Sequence, residues 1–141
     1  MILVSACLAG VNCKYDGGNN YNEKIMELVK KGEAILVCPE QLGGLSTPRT
    51  PSEIVNKNGK RYVFMKDGTD VTENYENGAN EVLKLAKALN INKAILKAKS
   101  PSCGCGVIYD GTFTKNKIPG NGITTELLID NGIEVITEED L

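Results

Sequence analysis

Four short apolar runs, well separated along the chain, constrain the fold more than any other feature of the sequence. They cover residues 2–6, 34–37, 94–98 and 133–136. Apolar runs of this length are too short for buried helices and are typical of strands that are covered on both faces of a sheet. We therefore expect four strands of one parallel sheet.

Helical periodicity fills the gaps between these runs. Asp70 or Thr72 is expected to cap the second and longest of three helices. Strands that alternate with helices predict an α/β fold, here a Rossmann-like three-layer sandwich with about four parallel strands. The apolar positions with helical spacing are Tyr21, Ile25, Leu28 and Val29, then Tyr75, Ala79, Val82, Leu83, Ala86 and Leu89, and finally Ile123, Leu127 and Leu128.

Two stretches depart from this alternation. Residues 39–60 are broken by proline and glycine, which predicts an irregular segment, and residues 61–66 are predicted to form a short edge strand. The pair Asp110-Gly111 between residues 107–109 and 112–114 predicts a small β-hairpin insert. Because no linker or repeat interrupts the pattern, a single domain over residues 1–141 is expected.

The composition excludes several chemistries. The 141 residues include no histidine, which removes Ser-His-Asp, Cys-His and histidine-ligated metal mechanisms. The net charge of −2 gives no general attraction for nucleic-acid backbones. No secretory signal or apolar stretch long enough to span a bilayer is apparent, so we expect a cytoplasmic location and no membrane partner. The five cysteines are then more plausible as ligands or reactants than as disulfides.

Three of these cysteines follow predicted strands. Cys7 comes after the first strand, Cys38 after the second and Cys103 after the third. Because the carboxyl ends of parallel strands share one edge, the three thiols are expected to converge at the usual ligand crevice. Zinc would need a fourth ligand, from Cys13, Cys105 or a carboxylate. An iron–sulfur cluster on three cysteines would leave one iron open to a soft substrate atom such as sulfur.

Cys13 and Cys105 have no assigned partner in this scheme. Each could be a spare thiol, a fourth ligand or a persulfide carrier.

Eight short motifs follow one another along nearly the whole chain. They are Ser5-Ala6-Cys7-Leu8-Ala9-Gly10, Tyr15-Asp16-Gly17, Cys38-Pro39-Glu40, Gly43-Gly44-Leu45, Pro48-Arg49-x-Pro51, Asp70-Val71-Thr72, Ser100-Pro101-Ser102-Cys103-Gly104 and Tyr109-Asp110-Gly111-Thr112-Phe113. Together they resemble the thiouracil desulfurase family. The resemblance implies a four-iron cluster, [4Fe-4S], held by Cys7, Cys38 and Cys103. It also implies a non-redox reaction in which the sulfur of a thiolated pyrimidine such as 2-thiouracil binds the free iron, water attacks the ring carbon and sulfide leaves.

Such a reaction needs a proton acceptor or donor near the reacting carbon. Glu40, two residues beyond Cys38, is the first candidate, followed by Ser100, Ser102 and Asp16. Arg49 either fixes a loop or reaches a substrate oxygen or phosphate.

The substrate expected is a small thiolated nucleobase, and the released sulfide would need an acceptor. If Lys93, Lys97 and Lys99 border the site, a nucleotide or a thiolated tRNA gains support, although the overall charge argues against RNA. Two other functions stay open: a sulfur-handling protein with a persulfide on Cys103 or Cys105, and a structural zinc-binding module.

Overall fold

A computed structural model describes all residues from 1 to 141, and its centre is a parallel sheet of four strands. These are β1 (Ile2–Ser5), β2 (Ala34–Val37), β5 (Lys93–Leu96) and β8 (Glu134–Thr137). Their spatial order is β2-β1-β5-β8, and every neighbouring pair is parallel. The predicted α/β fold with about four parallel strands is confirmed.

Helices cover both faces of this sheet, as the alternation of side chains along its strands requires. Leu3 of β1 packs toward α3 (Thr72–Ala88) and α4 (Ile123–Asp130), where it belongs to the largest apolar cluster. Val4, the next residue, packs with Ile25 of α1 (Glu23–Lys30) on the opposite face. The three layers are therefore α1, the sheet, and the α3–α4 pair.

The N-termini of helices α1 and α3 are capped in different ways. Asn22 caps α1, since its side-chain oxygen accepts from the backbone N–H groups of Lys24 and Ile25 at 3.0 and 3.3 Å. In α3 the N-cap is Val71, not Asp70 or Thr72 as expected. Asp70 instead accepts from the backbone N–H of Thr72 at 2.9 Å and orders the approach to the helix.

The segment 39–60, expected to be irregular, contains regular structure. It holds a short helix α2 (Pro39–Leu42) and a strand β3 (Ser52–Lys57), which pairs antiparallel with β4 (Lys60–Met65). Strand β3 buries a single side chain, Ile54, so it leaves no apolar run in the sequence. Its turn, Asn58-Gly59, has positive φ at both residues, which is the signature of a tight hairpin.

The second hairpin differs from its prediction. Strand β6 (Val107–Tyr109) pairs with β7 (Lys117–Pro119), not with residues 112–114. Asp110 prevents the tight turn because its carboxylate accepts from the backbone N–H of Thr112 and from the side chain of Asn116, both at 2.9 Å. Residues 110–116 therefore form a longer ordered loop.

No helix in the structure has the combination of length and apolarity needed to cross a membrane.

Candidate functional site

A cavity of about 610 Å³ opens at the carboxyl edge of the parallel sheet. Strand β2 lies on one side of β1 and β5 lies on the other side. The connections that leave β1 and β2 therefore run in opposite directions across the sheet, and the strand order reverses at β1. Ligands of open α/β sheets bind where the strand order diverges in this way. Four cysteines, namely Cys7, Cys13, Cys38 and Cys103, line the cavity.

Each of the three predicted ligands stands at a backbone turn that follows a strand. Cys7 lies in a single 3-10 turn, Ala6–Ala9, directly after β1. Cys38 is the N-cap residue of α2, and Pro39 begins that helix. Cys103 follows β5, and its backbone N–H donates to the Ser100 hydroxyl oxygen at 3.0 Å. The convergence expected from the strand ends is therefore present.

Cys13 also contacts this group. Its side chain is only 2% exposed, and its backbone carbonyl accepts from the thiol of Cys38 at 3.8 Å. The neighbouring Cys13 thiol is the largest influence on two pKa values: it lowers the pKa of Cys7 and lowers that of Cys38 to about 7. The same interactions raise the pKa of Cys13.

The third thiol has the opposite environment. Cys103 is 5% exposed, and burial, followed by the charge of Glu40, raises its pKa to about 12. A buried thiolate needs a cationic partner, and coordination to a metal centre removes the thiol proton outright. Three thiols around a polar cavity, one of them deeply buried, are a donor set that suits iron.

The donor set differs from that of a closed zinc site. Such a site holds one ion with four ligands at Zn–S distances of about 2.3 Å. No three His, Cys, Asp or Glu side chains form a group that could hold a single metal ion. Cysteine thiolates also hold iron–sulfur clusters, and Cys7, Cys38 and Cys103 reach this cavity from three strand ends.

Glu40 is the acidic side chain closest in sequence to these ligands, and two groups fix its carboxylate. Arg49 forms a salt bridge with Oε2, and the hydroxyl of Tyr75 donates to Oε1 at 3.4 Å. The same Arg49 nitrogen donates to the backbone carbonyl of Cys13 at 2.9 Å. Arg49 thus ties the loop that carries Cys13 to the helix that carries Glu40.

The other predicted catalytic residues are distributed unevenly. Ser100 lines the cavity, but its hydroxyl accepts from the backbone N–H groups of Ser102 and Cys103 at 3.1 and 3.0 Å. Ser102 is fully buried outside the cavity, with its hydroxyl 2.9 Å from that of Thr124. Asp16 is exposed, does not line the cavity, and accepts from the backbone N–H of Gly18 at 2.9 Å. The structure therefore brings neither Ser102 nor Asp16 to the site.

Of the fifth cysteine and the three lysines considered from the sequence, some line the cavity and others do not. Cys105 lies outside the cavity, and its thiol donates to the carbonyl of Val135 at 3.5 Å. Lys97 and Lys99 line the cavity, whereas Lys93 does not.

Several cavity residues were not singled out from the sequence. Asn20 donates from its side chain to the sulfur of Cys7 at 3.5 Å. Ser5 accepts from the backbone N–H of Lys97 at 2.9 Å, and its hydroxyl opposes the rise in the pKa of Cys103. Glu53 of β3 and Phe113 of the 110–116 loop form part of the wall. Ser5 and Phe113 both lie in motifs quoted from the sequence, which was the signal available for them, whereas Asn20 and Glu53 had none.

Comparison with known proteins agrees with this geometry. The family model described as 2-thiouracil desulfurase matches residues 2–140. A curated relative, the uncharacterized protein YbbK of Bacillus subtilis (strain 168), is 48% identical over 147 residues, covering 100% of this chain and 97% of the relative. A solved structure, that of the [4Fe-4S]-dependent thiouracil desulfidase TudS, superposes with a TM-score of 0.91 at 42% identity, covering 99% of this chain and 91% of that one. The chain therefore belongs to the 2-thiouracil desulfurase family.

Proposed function

We propose that this protein is an iron–sulfur enzyme that removes sulfur from a thiolated pyrimidine such as 2-thiouracil. The thiols of Cys7, Cys38 and Cys103 would hold a [4Fe-4S] cluster. The observation that carries the proposal is that three strand ends deliver these thiols to one cavity in a chain of this family. The overall reaction converts a thiocarbonyl and water into a carbonyl and hydrogen sulfide, with no change of oxidation state.

When bound, the cluster supplies a Lewis-acidic iron with an affinity for soft sulfur. The chain itself must bind the ring, hold it still and move protons. Glu40 is suited to the last task because it lies at the cavity and both of its oxygens are held. Each carboxylate oxygen has two lone pairs, so Arg49 and Tyr75 leave capacity for a proton from the attacking water.

Ser100 has a supporting role in this proposal. Its hydroxyl fixes the turn that presents Cys103, and it lines the cavity wall. Asp16 and Ser102 stay predictions without a contact to the cavity.

The cavity leaves room for more than a free base. Its volume of about 610 Å³ is in the range of pockets that enclose drug-sized ligands. Lys66 and Lys115 line it and form no salt bridge, and four further cations line it in salt bridges with carboxylates, namely Lys14, Arg49, Lys97 and Lys99. A thiolated nucleotide, whose phosphate would meet Lys66 and Lys115, is therefore the second candidate substrate.

The two rival functions have less support. A persulfide on Cys105 would lie away from the cavity, and a persulfide on Cys103 would occupy a thiol that the proposed cluster requires. A structural zinc module would require a closed set of four ligands close to one another, and no such group is present.

The test is anaerobic reconstitution followed by iron and sulfide counting and by assay of sulfide release from 2-thiouracil. We expect about four irons per chain, and replacing Cys7, Cys38 or Cys103 by alanine should abolish both the cluster and turnover. C105A is the matched control and should retain both, because Cys105 lies outside the cavity. Fewer than about three irons per chain in the wild-type protein would contradict the proposal.

A further inference from the structure

The loop of residues 110–116 is ordered by its own side chains. Asp110 accepts from the backbone N–H of Thr112 at 2.9 Å and from its hydroxyl at 2.6 Å. The side chain of Asn116 donates to the other oxygen of Asp110 at 2.9 Å, and the Asp110 N–H donates to the Asn116 carbonyl at 3.0 Å. The tip of this loop is therefore held in one shape.

Glu53 fastens the loop to strand β3. Its Oε1 accepts from the backbone N–H groups of Gly111 and Phe113 at 2.9 and 3.2 Å. Gly111 lies so close to β3 that a Cβ there would be 2.7 Å from the carbonyl oxygen of Ile54. Only glycine allows this approach, and Gly111 also has a positive φ of 92°.

The anchored loop holds Phe113 in an unusual backbone conformation. Its φ of 58° lies in the left-handed region, which bulky residues rarely adopt. The side chain is half-buried and lines the same cavity as the cysteines. Strained residues of this kind persist where the surroundings fix them, and they concentrate at ligand-binding sites.

We propose that Phe113 is a specificity-determining residue whose ring packs against the flat ring of the pyrimidine, and that Glu53 is the residue that positions it. This inference rests on the proposed function and adds a requirement for a planar, aromatic substrate. Aromatic side chains stack on nucleobases without reading their edges, so Phe113 selects for a flat ring and leaves the choice among bases to polar groups.

Calorimetric binding of two products that differ in planarity tests this directly. Uracil is flat, whereas 5,6-dihydrouracil has almost the same polar groups on a puckered ring. The cluster-loaded wild-type protein should bind uracil about tenfold more tightly than dihydrouracil. F113L, which keeps apolar volume without a ring, should bind the two about equally, and F113Y should retain the preference.

The ratio of the affinities for uracil and 5,6-dihydrouracil also tests the positioning role of Glu53. E53A removes the acceptor for both loop N–H groups and should lose the preference for uracil, whereas E53Q keeps an acceptor oxygen and should retain it. Y21L is the control, because Tyr21 is an exposed aromatic residue that does not line the cavity and lies outside the β3–β4 hairpin.

The outcomes separate this inference from the proposed function. Equal affinity for the two ligands in the wild-type protein, absence of uracil binding, or an unchanged ratio in F113L would each overturn the role of Phe113. If F113L does not fold, equal affinity for the two ligands in the wild-type protein would still overturn the proposal, and E53A tests the position of the Phe113 ring. The proposed function fails instead if the wild-type protein releases no sulfide from 2-thiouracil.

Discussion

Glu40 is held at the cavity by an arginine on one oxygen and a tyrosine hydroxyl on the other. Tyr75 is 3% exposed, and its burial, together with the charge of Glu40, keeps its pKa well above the ordinary value. Tyr75 therefore stays a hydrogen-bond donor at neutral pH, and it directs the carboxylate without competing for a proton.

The E40Q variant tests the proton-transfer role. Glutamine keeps an oxygen that can accept from Tyr75, but it cannot take up a proton at neutral pH. We expect sulfide release to fall by about 10²- to 10⁴-fold, with iron content unchanged. Sulfide release per iron measures this, and a loss of less than about tenfold would assign proton transfer to another group.

The three cysteine positions could be predicted because strand ends converge whatever the details of the loops. Asp16 and Ser102 were chosen only for proximity in sequence to expected site residues, and their side chains are used by a turn and by Thr124. Glu53 was not predicted because its contact with Phe113 joins residues 60 positions apart. No local pattern reports such a contact.

At the scale of elements, helix α2 depends on a close contact with α3. A Cβ on Gly78 would lie 2.0 Å from the carbonyl oxygen of Pro39, and one on Gly43 would lie 2.0 Å from the carbonyl oxygen of Asn74. The two backbones therefore touch through two glycines. This contact places α2, and with it Cys38 and Glu40, against the cavity.

The G78A variant should show how strictly the contact is required. Alanine is the better helix former by up to about 1 kcal/mol, yet its methyl group meets fixed backbone atoms. We expect a net loss of about 2 kcal/mol in the free energy of unfolding, measured by urea denaturation, and reduced iron content after reconstitution.

The control for this variant is N77A, at the neighbouring exposed position of α3. It should change the free energy of unfolding by no more than about 0.5 kcal/mol. Equal stability of G78A and the wild-type protein would mean that α2 can move away without cost.

The elements themselves were predictable to different degrees. The parallel strands were predicted from continuous apolar runs, and the helices from apolar residues at helical spacing. Both patterns are strong because many core residues take part in them. Strand β4 corresponds to the edge strand predicted over residues 61–66, but its partner β3 was not predicted, because β3 buries only Ile54 and the strongest signal of the hairpin is the Asn58-Gly59 turn. The second hairpin was misplaced because the side-chain bonds of Asp110 outweighed the turn preference of Asp-Gly.

For the whole molecule, the proposed cluster would join segments that are far apart in sequence. Its ligands follow β1, β2 and β5, which are neighbours in the sheet. A group that binds only the folded chain stabilises it in proportion to its affinity.

Removal of the cluster should therefore lower the thermal stability. A ligand whose free concentration is about 1,000 times its dissociation constant raises the free energy of unfolding by about 4 kcal/mol. Removal of the cluster should therefore lower Tm by about 10 °C. Anaerobic calorimetry of loaded and chelator-treated protein measures it. C105A should show the same difference, and C103A, which is expected to bind no cluster, should show none.

The order of the strands in the sheet also has a consequence for biosynthesis. A nascent polypeptide that has been synthesised only as far as Cys38 holds two of the donors, while the third, Cys103, is still 65 codons away. Strand β5, which precedes Cys103, must then insert beside β1 before the donor set is complete. In the proposed arrangement, iron delivery by the cell therefore follows the synthesis of β5 and Cys103.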